Sequence, residues 1–512
     1  MNINTLVKKR NFPYALRVAM LVLFILVMYV SYFGLAKIIP PNHRIALFVI
    51  WTLWWPILYI SLLFFARAWC GFLCPINLAN EAGNKLRKGR PLNLIRWGFL
   101  AYVLFFLIVL AEQISGLFLS YNMTLVFILL FFGSAFIFGT IFARWSFCRF
   151  ICPIGTILSV FSRLSFIGLR TQEEKCNICT TKECMKGGAA EQCPMFNVIP
   201  GIKTNKTCLL CTNCIKNCPY DSAQIKLVKP GRDIVDEIAF TKAESLFIIA
   251  LIGMTFILNS RGTEMFRRLL FGAEVSGALL RTVDFILAIG LTLAAFAALC
   301  YITGRAMKMS YKDMQNKLGY VYLPLVFAIM FFSITFGFLG PYVNLPEHII
   351  SISKYIVLFF GAAWSIYFAY KLLYEKIMHA KLFGTAMHVS AILAVSALWI
   401  VYLIPGPLNM FPEITKIVTA EDGKPIKMDG YSMGFLPNTI IAKKGQEILL
   451  EIYNKDIMHA FDINEFNVHR ALIGDTTTVV KFTPDKAGEF TYYCNIPGHT
   501  EAGMKGKLIV EE

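Results

Sequence analysis

Twelve of the fourteen cysteines lie between positions 70 and 218, at spacings that suit metal ligation better than disulfide pairing. Cys208, Cys211, Cys214 and Cys218, followed by Pro219, read C-x2-C-x2-C-x3-C-P, a run with which thiolates wrap iron–sulfur clusters. Cys176, Cys179, Cys184 and Cys193, followed by Pro194, form a looser version upstream. In such paired runs the fourth cysteine ligates the other cluster. The expectation is therefore one [4Fe–4S] cluster on Cys176, Cys179, Cys184 and Cys218, and a second on Cys208, Cys211, Cys214 and Cys193. Zinc knuckles also use C-x2-C pairs. The absence of histidine from 170–235 and the two C-P endings favour iron.

The remaining four form a repeat. Residues 66–76 read ARAWCGFLCPI and 143–154 read ARWSFCRFICPI, so Cys70 and Cys74 recur 78 positions later as Cys148 and Cys152. If helix continues through each C-x3-C, spacing i, i+4 places both thiols on one side. Two such pairs face to face supply four ligands for a further cluster. Two redox-active dithiols, or cysteines that only pack, fit the same spacing. Cys300, alone in an apolar stretch, reads as a small buried hydrophobe.

A different chemistry closes the chain. Cys494, His499 and Met504 stand at C-x4-H-x4-M, with His459 about 35 residues upstream at a strand end. Two imidazoles, one thiolate and a weak thioether make a type 1 copper site. A binuclear copper site needs a second cysteine where Gly498 stands. His469 reads as a surface residue.

These ligands need elements to hold them. Charged residues are only 16% and hydrophobic ones 57% of 512 residues, with mean hydropathy +0.60. A soluble domain has roughly 25% charged residues. The composition excludes a soluble enzyme, a disordered chain and a nucleic-acid binder, and predicts a polytopic helical membrane protein. Nine apolar stretches fit the roughly 17–25 residues needed to span a bilayer: 15–39, 44–66, 95–119, 122–143, 243–259, 282–304, 320–340, 350–373 and 387–405. With the N-terminus inside, inner segments carry 31 Lys and Arg and outer loops 7. Four of those seven fall in 260–281, read as an amphipathic surface helix. Residues 410–512, with 11 basic and 15 acidic side chains, carry −4 against +17 for the whole chain, as expected of an outer domain. In a reducing cytoplasm the inner cysteines stay out of disulfides. From about 430 the pattern changes to short β-rich runs, an all-β sandwich.

Residues 45–240, with two C-x3-C-P motifs and a two-cluster segment between spans, resemble the membrane polyferredoxin family. That family includes membrane ferredoxin subunits of nitrate reductase systems, nitrous oxide reductase regulators and cytochrome oxidase accessory proteins. Residues 430–512 resemble cupredoxins. The expected organisation is a four-span region at 1–169, a ferredoxin segment at 170–235, five spans at 243–405, a linker at 406–429 and the cupredoxin at 430–512. The resemblance implies a transmembrane electron carrier in the cytoplasmic membrane, in contact with lipid and without nucleic acid. A cytoplasmic reductant or quinol would donate, and an extracytoplasmic redox protein or copper enzyme would accept. A bound quinone is the expected intermediary across the hydrocarbon. Whether the chain counts as an oxidoreductase stays open. The rival reading is an assembly factor that reduces cupric ion and delivers copper; a redox sensor is a third.

Overall fold

The computed structural model describes residues 12–34, 43–86, 89, 99–115, 121–258, 278–339, 347–375, 381–403, 416–431, 434–454, 459–473, 476–496, 499–500 and 504–512. Among these, seven helices are long and apolar enough to cross a membrane: Pro13–Phe33, Ile45–Phe65, Tyr121–Ile141, Thr282–Met307, Tyr311–Thr335, Ile352–Glu375 and Leu382–Ile400. The two other expected spans coincide with shorter helices, Leu100–Ser115 and Lys242–Leu258. The helix expected over 260–281 lies outside the described residues, apart from the first turn of the Ala278–Met307 helix. Leucine-, isoleucine- and phenylalanine-rich faces outside the core point to lipid, as at Leu129, Leu130, Phe359 and Phe360.

The C-x3-C-P motifs depart from the expected continuous helix. Ala66, at φ 48° and ψ −128°, ends the second span, and Cys70 follows in a short π-helical turn, Trp69–Leu73. Cys74 is extended, and a new helix, Ile76–Leu86, starts beyond Pro75. The second copy repeats the plan: Cys148 lies in Ser146–Phe150, and Cys152 is the N-cap of Pro153–Phe161. Proline suits the first helical position because no partner is needed there for its missing N–H. Ile76–Leu86 packs on Tyr121–Ile141, and Pro153–Phe161 packs against Leu100–Ser115.

The cysteines of residues 170–235, the expected ferredoxin segment, are bracketed by an antiparallel pair, β1 (Ile167–Arg170) and β2 (Gln224–Leu227). The segment sits directly on the first motif. A methyl group on Gly71 would stand 2.3 Å from the Leu209 carbonyl oxygen and 3.0 Å from the Cys211 nitrogen. A buried ion network ties this unit to the second group of spans. Arg163 contacts Asp233 at 3.1 Å and Glu244 at 3.0 Å, Lys206 reaches Glu244 at 2.5 Å, and the Tyr320 hydroxyl donates to Glu244 at 2.7 Å. Removing one member of a buried pair strands the other's charge, so the network fixes the register of four segments. Tyr59, Phe161 and Phe327 then extend one apolar core across both groups of spans.

The C-terminal β domain has two sheets. Ten strands run from β3 (Ile417–Thr419) through β4 (Ile426–Tyr431), β5 (Gly434–Leu436), β6 (Thr439–Lys443), β7 (Ile448–Asn454), β8 (His459–Ile463), β9 (Val468–Leu472), β10 (Thr476–Phe482) and β11 (Gly488–Tyr493) to β12 (Lys505–Glu511). The sheet orders are β10-β7-β4-β5 and β3-β6-β12-β11-β8-β9. Strands β3 and β4 fall where a linker is expected at 406–429; their pairing with β6 and β7 adds them to the sandwich. The three-residue length of β3 and the charged Lys427 and Asp429 within β4 hide that β pattern in the sequence.

Gly71→Ala should lower thermal stability in detergent by about 1–3 kcal/mol, the cost of overpacking against backbone, and loosen the ferredoxin segment to protease. Gly133→Ala, with nothing within 4 Å of the added carbon, is the control and should leave both readouts unchanged.

Candidate metal centres

Cys70, Cys74, Cys148 and Cys152 converge on one site. Burial raises the Cys148 thiol well above its ordinary value, and its neighbours Cys152, Cys74 and Cys70 raise it further. Cys152 is pushed up to about 12 by burial against the opposing pull of the Gly155 amide. The second cysteine of each motif is held alike. Cys152 Sγ accepts from the Gly155 amide at 3.2 Å, and at Cys74, which burial raises, the Asn77 and Ile76 amides pull the thiol the other way. Each sulfur therefore faces a helix N-terminus, where N–H groups and the helix dipole favour negative charge. Asn77 crosses between the copies: its Nδ2 donates to the Cys70 carbonyl at 2.7 Å, and its Oδ1 accepts from Cys148 Sγ at 3.1 Å.

The ferredoxin segment holds two further groups. Cys184 is raised to about 11 by burial and then by Cys218, Cys176 and Cys179, which places these four together. Cys193, Cys208, Cys211 and Cys214 line one cavity with Leu169, Met195 and Ile215. Burial lifts Cys208 to about 11 and Cys211 to about 12. Left-handed backbone at Leu210 and Thr212 bends the chain around Cys211. The Ser222 amide donates to Cys218 Sγ at 3.2 Å. Asn217 clamps the loop before Cys193 through the Ala190 and Glu191 carbonyls. At Cys184, Cys208, Cys211 and Cys214 burial and neighbouring cysteines oppose free thiolates, so a bound cation is what makes adjacent thiolates affordable there. Soft iron fits that donor set.

In the β domain, His459 opens β8, while Cys494, His499 and Met504 lie between β11 and β12. The ligand atoms of His459, Cys494 and His499 lie within 4.8 Å of one another, all three buried. The two Nδ1 atoms stand 3.0 Å apart, and Cys494 Sγ is 3.4 Å from His499 Nδ1 and 4.0 Å from His459 Nδ1. Met504 is wholly buried, and its amide and carbonyl bond to the His499 carbonyl and the Cys494 amide. The Ala460 amide donates to Cys494 Sγ at 3.3 Å. This set fits copper: a buried thiolate, two imidazole nitrogens turned to the same point, and a thioether on the same loop. His469 stays apart from it, paired with Asp462 at 2.5 Å.

The 4Fe-4S binding domain family matches residues 47–93 and 124–169, the two C-x3-C-P hairpins, and the Cupredoxin-like domain family matches residues 392–510. An uncharacterized protein of Methanocaldococcus jannaschii is 31% identical over 205 residues, covering 37% of this chain and 75% of its own. The chain belongs to the 4Fe-4S binding membrane family and ends in a cupredoxin-like domain. YccM of Escherichia coli, named for electron transport, is 28% identical over 250 residues, 43% of this chain and 65% of its own. Cytochrome c oxidase subunit 2 of Thermus thermophilus is 28% identical over 83 residues, 16% of this chain and 62% of its own.

Sequence reasoning missed the residues around the sulfurs. Asn77 and Asn217 are buried amides in motifs otherwise read for cysteine, and Arg67, three positions before Cys70, is buried to 2% exposure. A charged residue inside each apolar-to-cysteine junction was the available signal.

The oxidised full chain should be coloured by thiolate-to-copper charge transfer. Cys494→Ser should abolish that band, and Met504→Leu should keep it while raising the copper potential, since the axial ligand tunes it. Visible absorption and a redox titration check both.

Proposed function

We propose that the chain carries single electrons from a cytoplasmic reductant or membrane quinol, through its cysteine groups, to copper on the outer face of the cytoplasmic membrane. An outer redox protein or copper enzyme then accepts them. The observation that carries this reading is the contiguity of three cysteine groups. Cys184 of the solvent-facing group acts electrostatically on Cys214 of the next. Cys211 of that group lies against Gly71, beside Cys70.

Iron–sulfur clusters on the cysteines and type 1 copper in the β domain supply one-electron exchange with little rearrangement. We assign Cys176, Cys179, Cys184 and Cys218 to one [4Fe–4S] cluster, Cys193, Cys208, Cys211 and Cys214 to a second, and Cys70, Cys74, Cys148 and Cys152 to a third. His459, Cys494, His499 and Met504 take the copper. The chain's own groups exclude water, aim amide dipoles at the sulfurs and hold the copper ligands rigid. Wholly buried Cys494 and Met504 favour retention of copper over its delivery to another protein.

The excess of Lys and Arg in the expected inner loops supports a cytoplasmic ferredoxin segment, and the acidic β domain supports an outer one. About 30 Å of hydrocarbon separates these faces, which calls for an intermediary. His388 is buried with both ring nitrogens occupied, Nδ1 by the Tyr322 hydroxyl at 2.9 Å and Nε2 by Thr303 at 3.5 Å. That occupancy disfavours haem ligation by His388, and a membrane quinone suits the role.

Anaerobically purified protein should contain more than about eight iron atoms, the content of two cubanes. Cys148→Ser should lower that content while sparing the two groups in the ferredoxin segment. Stoichiometric zinc without acid-labile sulfide would refute the iron assignment. Unchanged iron in Cys148→Ser would remove the third cluster.

A further inference from the structure

Among the described residues three arginines are buried, Arg17, Arg67 and Arg163, and two of them pair with carboxylates. Arg17 pairs with Glu81 at 2.8 Å, and Arg163 contacts both Asp233 and Glu244. Arg67 differs. Its Nη1 donates to the Lys206 carbonyl at 2.9 Å, and its Nε has no hydrogen-bond partner among the described residues. No carboxylate pairs with it among those residues. A neutral carbonyl leaves most of a buried guanidinium's charge uncompensated, which is costly unless negative charge stands nearby.

That charge is sulfur. Burial raises the Cys70 thiol and the nearby Arg67 charge opposes that rise, and the same field reaches Cys148, Cys152 and Cys208. A side chain at position 155 would meet Arg67 Nη2 at 3.2 Å, so Gly155 leaves the guanidinium its place between the two motifs. Arg149, with its Nη1 also lacking a partner among the described residues, acts on Cys193 together with Arg144. Arg170 acts on Cys208. The solvent-facing group, by contrast, is bordered by Glu173, Glu174 and Glu183 as well as by Lys175 and Lys182. Fixed positive charge is therefore greater around the two inner groups than around the solvent-facing cysteines, and at the membrane group Arg67 supplies it.

We infer that Arg67 is a positioning residue for electron flow: its unanswered charge raises the potential of the group held by Cys70, Cys74, Cys148 and Cys152. Positive charge beside a centre stabilises its reduced, more negative form, and net charge is one of the terms that set iron–sulfur potentials. Each one-electron step from a low-potential cytoplasmic donor oxidises one group as it reduces the next. With Arg67 in place the membrane group accepts an electron more readily than it would without that charge. The inference rests on the three-group relay proposed above and adds the residue that tunes its membrane member.

The test is an anaerobic redox titration of the intact protein, followed by electron paramagnetic resonance, with iron measured on every sample. The membrane group's signal is the one lost in Cys148→Ser. Arg67→Gln should keep its iron and titrate that signal at a lower potential, while the signal of the solvent-facing group stays in place. Arg67→Lys should restore the potential toward wild type, which a purely structural role would not require. Arg170→Gln should lower the Cys193, Cys208, Cys211 and Cys214 group and spare the membrane group. If Arg67→Gln loses its iron, Arg170→Gln decides. Iron-loaded variants that titrate like wild type overturn the inference. Unchanged iron in Cys148→Ser overturns the relay itself instead.

Discussion

Sulfur buried beside sulfur is the constraint on which the rest of this structure depends. Four thiols in one apolar site cannot ionise together, because burial and mutual repulsion both favour the protonated form. The fold answers with cations and aimed dipoles. Proline after the last cysteine of each C-x3-C-P motif starts a helix whose first amides point at sulfur. Arg67 brings a full positive charge to the same place. A protein that only packed its cysteines would have no use for either device.

The same need explains how the parts are joined. The ferredoxin segment is seated so that Gly71 meets the backbone at Leu209 and Cys211. The ion network of Arg163, Asp233, Glu244 and Lys206 then locks that seat to the start of the second group of spans. Lys206 serves both ends: its ammonium contacts Glu244, and its carbonyl receives Arg67. The second group of spans thereby braces the cysteine groups. Its own polar pair, Tyr322 and His388, lies two residues beyond Tyr320 of that network.

Much of this was legible in the sequence because metal ligation needs particular atoms at particular spacings. Cysteine and C-P positions marked the three groups that the fold brings together, and the C-x4-H-x4-M run with His459 marked the buried His459, Cys494 and His499 cluster. Hydropathy located the spans, since length and apolarity are what a bilayer demands. Three things were not legible. The break at Ala66 depends on a positive φ that alanine rarely adopts, so the motif looked helical. Strand β3 is only three residues long and β4 mixes apolar with charged residues, and their pairing with β6 and β7 makes them strands. Arg67 and Asn77 act across 70 or more residues of chain, on Lys206 and Cys148, which local pattern cannot show.

The most direct test of the relay is to reduce the protein from one end and watch the other. The full chain, reconstituted in vesicles with quinone present, would receive a membrane-impermeant low-potential reductant on the ferredoxin side. The copper absorption would be followed in time. In the wild type the copper band should bleach after the iron–sulfur absorption does, and in Cys148→Ser it should persist. Equal bleaching in Cys148→Ser would contradict a path through the membrane cysteines.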